Sequence, residues 1–196
     1  MKTKMKRFTL GLVVLSALVA LVAIQGDVSG ASLTSRAQIQ ISGNLTNVAG
    51  LQTATAPLSV TKTLDLANGV AVNQANVLFS NTYSITTGAT QSLDLAGGGL
   101  TDAFGVALAP ARIKCVVIAA SSSNTTNLTI LGSANAVPIL NTAATTMTLT
   151  PGGVFLACNP SATAWAVTAG TGDIVQIVNA AGATANADVV LIGASS

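Results

Sequence analysis

Residues 168–193 read TAGTGDIVQIVNAAGATANADVVLIG, and this stretch decides between two fold classes. Gly170, Gly172 and Asp173 would suit a phosphate-binding loop, but neither GxGxxG nor GxxxxGK followed by Ser or Thr is present. The apolar run 174–178 follows without helical spacing, and a second run, 188–193, comes after a stretch of Ala, Gly, Asn and Thr. This order of strand, loop and strand predicts the last hairpin of a β-sandwich rather than a nucleotide-binding loop.

The same pattern extends toward the N-terminus. Further strands are predicted at 36–45, 57–66, 77–86, 90–95, 112–120, 127–132, 145–150, 153–158 and 164–168. Clusters of Gly, Asn, Pro or Ser separate them, and helix is expected only in the N-terminal segment, with short turns near 69–76 or 133–136. Short strands at this spacing predict an all-β fold, with residues 57–196 as one β-sandwich domain.

The strand RIKCVVIAA, residues 112–120, is apolar on both faces. Simple alternation places Ile113, Cys115 and Val117 on one side and Val116 and Ile118 on the other. A strand of this kind is expected in the centre of a sheet or beneath another layer. Arg112 and Lys114 are expected to mark its entry from solvent.

The chain has two cysteines, Cys115 and Cys158, each within a predicted strand. In an exported protein two cysteines commonly pair, and a bridge here would close a loop of about forty residues. The alternative is two buried free thiols, since free cysteine behaves as a small core residue.

The first thirty residues have the organisation of an export signal. A basic segment with Lys2, Lys4, Lys6 and Arg7 precedes an apolar run, residues 8–24, and small residues follow at 28–31. This pattern predicts a signal peptide over 1–30, cleaved after Gly30, and an exported protein. The alternative is a retained membrane anchor over 8–24, close to the shortest length that spans a bilayer.

Residues 31–56 are predicted to be an N-terminal strand and a linker. Ile39 and Ile41 alternate with polar residues, and Arg36 is the only charge in the strand 36–45. The Gly-, Thr- and Ala-rich stretch 43–56 gives little reason for this strand to pair within its own chain. We therefore expect it to carry assembly, by pairing with the open sheet edge of a neighbouring subunit.

Composition narrows the classes of function. From Ala31 onward four cations face five aspartates, so the folded part has a net charge of −1 and no basic patch for nucleic acid. Charged residues are only 7% of the chain, which is a solubility liability for a free monomer and favours a homo-oligomer.

Catalytic groups are scarce. The chain contains no histidine and no glutamate, so no Ser-His-Asp triad can form, and we expect neither an enzyme nor a cofactor. No metal site is predicted, since Asp65, Asp94 and Asp102 lack the spacing of a calcium loop. Trp165, the only tryptophan, is expected to anchor the core or an interface; a sugar-stacking platform is the alternative.

From Pro57 onward the order of phrases resembles small virion-associated proteins of tailed bacteriophages and related prophages. The phrases include NQANVLFS (73–80), LTDAFG (100–105) and AVTAGTGD (166–173). The resemblance implies a compact jelly-roll-like β-sandwich used as a capsid decoration, head-fibre or tail-associated subunit. The chain differs from such proteins in its N-terminal export signal.

Two functions are therefore expected. The first is a non-enzymatic structural subunit, either of a virion or of an extracellular filament. Its expected partners are further copies of the chain and a capsid or cell-surface scaffold. The second is a secreted lectin-like module that binds glycans through loops, with Trp165 as the stacking face.

Overall fold

The computed structural model describes residues 32–49, 52–142 and 145–195, and from Leu33 onward they form one compact unit. The described chain is all-β, which confirms the predicted fold class at this level. It contains no helix long and apolar enough to cross a membrane. The predicted signal peptide or anchor over 1–30, with its hydrophobic helix, lies outside the described residues.

The described residues contain twelve strands. They are β1 (Ser35–Ala49), β2 (Gln52–Asn68), β3 (Gln74–Ala75), β4 (Val77–Ile85), β5 (Thr90–Asp94), β6 (Arg112–Ala120), β7 (Leu128–Leu131), β8 (Thr146–Leu149), β9 (Val154–Cys158), β10 (Trp165–Ala166), β11 (Ile174–Val178) and β12 (Ala185–Ala194). Eleven of them lie at the predicted positions; the two-residue β3 falls where only a turn was expected.

Two sheets share the main hydrophobic core, an arrangement compatible with a β-sandwich. A five-stranded sheet has the order β10-β6-β12-β4, with β9 also paired to β6, and a four-stranded sheet has the order β5-β11-β7-β8. Val116 and Val189 from the first sheet and Leu93, Ile130 and Val175 from the second are all fully buried in one cluster. Burial of these branched side chains between the sheets is the main stabilisation of the fold.

The predicted hairpin at 174–193 is wrong in its pairing, although both strands exist. β11 pairs with β5 and β7 in one sheet, whereas β12 pairs with β4 and β6 in the other. The connection 179–184 therefore crosses between the sheets. Asn179, which is fully buried, secures this crossing because its side-chain amide donates to the carbonyls of Ile85 and Ala183, both at 2.9 Å.

β6 is central, as predicted, because β12 lies on one side of it and β9 and β10 on the other. The predicted division of its faces holds from Cys115 to Ile118 but is wrong for Ile113. The register shifts at Ile192/Gly193, so that Lys114 is an extra residue in β6 and forms a β-bulge. The bulge puts Ile113 on the same face as Val116, toward the core, and Cys115 on the opposite face.

The same bulge buries Lys114, which was expected at the solvent boundary. Its side chain is inaccessible to solvent, and its ammonium group donates to the backbone carbonyls of Ala71 and Ser161. Burial, together with the neighbouring charge of Arg112, lowers the pKa of Lys114. Lys114 thus ties the loop after β2 to the loop after β9.

The expected linker is also wrong. Residues 43–49 belong to β1 and 52–56 to β2, and the two strands pair with each other in an antiparallel ladder. The predicted boundary between 56 and 57 falls inside β2. β2 continues to Asn68, where its last two residues pair in parallel with β3.

Candidate functional site

The ribbon formed by β1 and β2 is the feature of this chain that most needs a functional explanation. Its ladder runs from the pair Ser35–Leu66 to the pair Ala49–Gln52. Fifteen residues of β1 at about 3.4 Å each give a length of about 50 Å. A tightly paired ribbon of this length cannot be covered along its whole extent by a domain of this size.

The ribbon has one apolar face and one polar face, since directly opposed residues of an antiparallel pair point to the same side. The apolar face consists of the pairs Ala37–Leu64, Ile39–Lys62, Ile41–Val60, Gly43–Leu58 and Leu45–Ala56. The polar face consists of Arg36–Asp65, Gln38–Thr63, Gln40–Thr61, Ser42–Ser59, Asn44–Pro57 and Thr46–Thr55. Lys62 is the only charge on the apolar face.

The base of the ribbon is buried on the body of the protein. Leu66 is 1% exposed and packs in a second hydrophobic cluster with Ala75, Cys115 and Ile192. Ala37 and Leu64 pack against the same cluster. Because Cys115 and Ile192 point away from the main core, the ribbon base covers the outer face of the five-stranded sheet.

Beyond its base the ribbon leaves the body. A cleft of about 270 Å³ lies where Ile39 and Lys62 approach Leu156 and Cys158 of the edge strand β9. Farther out, large apolar side chains remain exposed: Ile39 47%, Ile41 58%, Leu45 75%, Leu58 55% and Val60 41%. We call this distal part, residues 39–49 and 52–62, the arm.

Of the residues predicted to carry assembly, Ile39 and Ile41 lie on the apolar face of the arm. Arg36 lies at the base on the polar face, where its guanidinium is 2.5 Å from the Asp65 carboxylate and both side chains are 64% exposed. The hydrogen bond and charge of Asp65 raise the pKa of Arg36. The prediction missed Leu58 and Val60, although residues 58, 60, 62, 64 and 66 continue the same alternation.

Cys115 and Cys158 form a disulfide, and their Cα atoms are 4.1 Å apart. The two residues are directly opposed on β6 and β9, as expected for a bridge between neighbouring strands. At the next pair the Asn159 amide donates to the Lys114 carbonyl at 2.7 Å. The cysteines therefore occupy a non-hydrogen-bonded pair, where opposed side chains come closest.

Trp165 lies in β10, opposite Ile113 of β6. It is half-buried and packs against the main core. Phe104, in contrast, is 80% exposed at the tip of the loop between β5 and β6. The Asp102 carboxylate holds that tip by accepting from the amides of Phe104 and Val106 at 2.8 and 2.9 Å.

The other aspartates also have structural contacts. Asp94 accepts from the amides of Ala96 and Gly97, and Asp173 accepts from the amide of Gly170. Within the described residues no three His, Cys, Asp or Glu side chains come together as a metal-binding group. These carboxylates stabilise turns, and the structure does not bring them together.

No protein-family model, curated protein or solved structure matches this chain.

Proposed function

We propose that this protein is a non-enzymatic structural subunit of a surface assembly, in which copies of the chain associate through the arm. The observation that carries the proposal is the exposed apolar face of the arm. A two-stranded ribbon is marginally stable by itself in water, so a ribbon of this length is expected to gain a partner. Completing the burial of its half-exposed Ile, Leu and Val side chains would stabilise the assembly by about 1 kcal/mol each.

The strand order supports a jelly-roll fold, which is frequent in capsid proteins. One sheet contains β9, β6, β12 and β4 in that order, and the other contains β5, β11, β7 and β8. All neighbouring pairs among these eight strands are antiparallel. Together with the resemblance to virion-associated proteins, this order favours a capsid-decoration or head-fibre role, or the same fold in an extracellular filament.

The proposal includes export, which the disulfide supports because such bridges persist in oxidising compartments. The mass of the protein recovered outside cells that express the full chain tests it. A chain that starts at Ala31 is expected; an intact Met1 in the membrane fraction would instead make this an anchored subunit. Reduced cysteines in a protein found only in the cytoplasm would refute export.

Self-association is tested by light scattering and electron microscopy on protein from the full chain, with two matched variants. Ile41→Asp places a charge on the apolar face of the arm, and Gln40→Asp places the same charge on its polar face. We expect oligomers for the native protein and Gln40→Asp, and monomers for Ile41→Asp. Monomers of the native protein at high concentration, or equal assembly of all three, would refute the proposal.

A further inference from the structure

The outer face of the five-stranded sheet carries a second apolar surface. On this face three rows of side chains cross β9, β6, β12 and β4. They are Val154, Ala119, Asp188 and Thr82; Leu156, Val117, Val190 and Ser80; and Cys158, Cys115, Ile192 and Leu78. We call the first two rows the shelf, and Asp188 is its only charged residue.

The ribbon of the same chain covers the third row, with Leu66 over Cys115 and Ile192. It also meets the second row, where Val190 packs against the same cluster and Leu156 lines the cleft beside the ribbon, and it leaves the first row open. Val154 is 63% exposed, and Val117 and Leu156 are only partly buried. The chain therefore has two surfaces whose apolar side chains are left at least partly uncovered by the described residues, the arm and the shelf.

The arm and the shelf of one chain cannot cover each other. The ribbon lies over β6 and β12 at Leu66, reaches the edge strand β9 at Ile39 and Lys62, and is exposed from there outward. The hydrogen-bonded ladder continues without a break past this edge, so the arm extends away from the sheet. In a second copy of the chain, the shelf is available to the arm of the first copy, and the arm is available to the first copy's shelf.

The two surfaces are complementary in charge and similar in size. Each carries one charge, and the charges are opposite: Lys62 on the arm and Asp188 on the shelf, where the Asp188 carboxylate accepts a hydrogen bond from Thr82 at 2.6 Å. The arm over residues 39–46 and 55–62 covers about 10 Å by 27 Å, and the two rows of the shelf across four strands cover about 19 Å by 14 Å, so each surface measures about 270 Å². A subunit that both gives and receives an arm thus buries about 540 Å², and a dimer buries about 1,080 Å² in total, just above the roughly 1,000 Å² expected of a specific interface.

We propose that the apolar face of the arm of one copy packs on the shelf of a second copy. This inference rests on the proposed function, because it names the receiving surface for the same arm. It differs from the strand exchange expected from the sequence, since the contact is made by side chains of a complete hairpin rather than by one strand added to a sheet edge.

Complementation between two defective proteins tests the contact. Ile41→Asp disables the arm and leaves the shelf intact, whereas Val154→Asp disables the shelf and leaves the arm intact. Each variant alone is expected to be monomeric, because assembly would bury an unpaired carboxylate. The protein concentration needed for assembly should therefore rise about a hundredfold or more. Mixed in equal amounts, the two should form heterodimers, since one intact arm can still meet one intact shelf.

Thr148→Asp is the matched control, because Thr148 is exposed on β8 of the other sheet. Its assembly is expected to equal that of the native protein, and circular dichroism should show native strand content for all variants. In a second measurement, a Leu45→Cys chain mixed with a Val154→Cys chain should form a crosslinked dimer under oxidation.

The outcomes separate this inference from the proposed function. If Val154→Asp assembles like the native protein, or if the two variants remain monomeric on mixing, the shelf is not the receiving surface, although self-association stands. If the native protein is itself monomeric, both proposals are overturned. Monomers of each variant and heterodimers of the mixture support the arm and shelf contact.

Discussion

The body and the ribbon use the same kind of sequence pattern with opposite results. In β11, alternation buries Val175 and Ile177 completely between two sheets, whereas in β1 the equivalent alternation leaves Ile39 and Ile41 about half exposed. The local chemistry of the two strands is nearly the same. The difference teaches that alternation specifies which face of a strand is apolar, but not whether the rest of the chain buries that face.

The largest expected difference between the two regions comes from placing the same charge in each. Ile118→Asp introduces a carboxylate at a fully buried position of β6, and the penalty of several kcal/mol is comparable with the whole stability of a domain. Ile41→Asp introduces it at a position that is 58% exposed. We expect no folded protein for the first variant and a folded monomer for the second, measured by circular dichroism and light scattering. Unfolding of both would show that the arm belongs to the core of its own subunit.

The disulfide lies where body and ribbon meet, beneath the ribbon base. Its cysteines are separated by 43 residues, and a loop of that length corresponds to about 4 kcal/mol in the chain-entropy model. The Cys115→Ala/Cys158→Ala variant is therefore expected to lose about that much free energy of unfolding in urea titrations. Leu45→Ala on the arm, 75% exposed, is the comparison and should lose less than about 1 kcal/mol. Equal losses would contradict the distinction between the regions.

The buried Lys114 should make the free energy of unfolding depend on pH, and this residue lies in the body rather than in the arm. Burial lowers the pKa of Lys114 in the folded state below its ordinary value of 10.5. Between these two pKa values the unfolded chain therefore binds one proton more than the folded chain. The free energy of unfolding should therefore rise with pH through the alkaline range up to about 10.5. In Lys114→Met this rise should be weaker. Lys62→Met, which removes a positive charge from the arm, is the matched control, and a native pH slope in Lys114→Met would refute the assignment.

The smallest effect is expected at the ion pair of the ribbon base. Arg36 and Asp65 are both 64% exposed, and exposed pairs contribute little because water and salt screen them. Asp65→Asn should leave the melting temperature unchanged at both low and high salt. A clear, salt-dependent decrease would mean that this pair fixes the ribbon on the body more strongly than its exposure suggests.

By itself the sequence determined where the strands lie, that the described chain is all-β, and that one strand, 112–120, is central. These properties are local, since β-branched alternation, turn residues and apolar runs can be recognised within about ten residues. The same alternation identified Ile39 and Ile41 as positions to be buried.

Only the tertiary structure decided how the strands combine. β12 pairs with β4, about one hundred residues away, rather than with its sequence neighbour β11, because the connection 179–184 crosses to the other sheet. The bulge at Lys114 turns Ile113 to the core-facing side of β6, against simple alternation, and no local pattern marks it. The pairing of β1 with β2, and hence the arm, was hidden by a stretch that is rich in Gly, Thr and Ala. Pairing, register and covering layer depend on contacts between distant segments, and a pattern with a period of two residues carries no information about them.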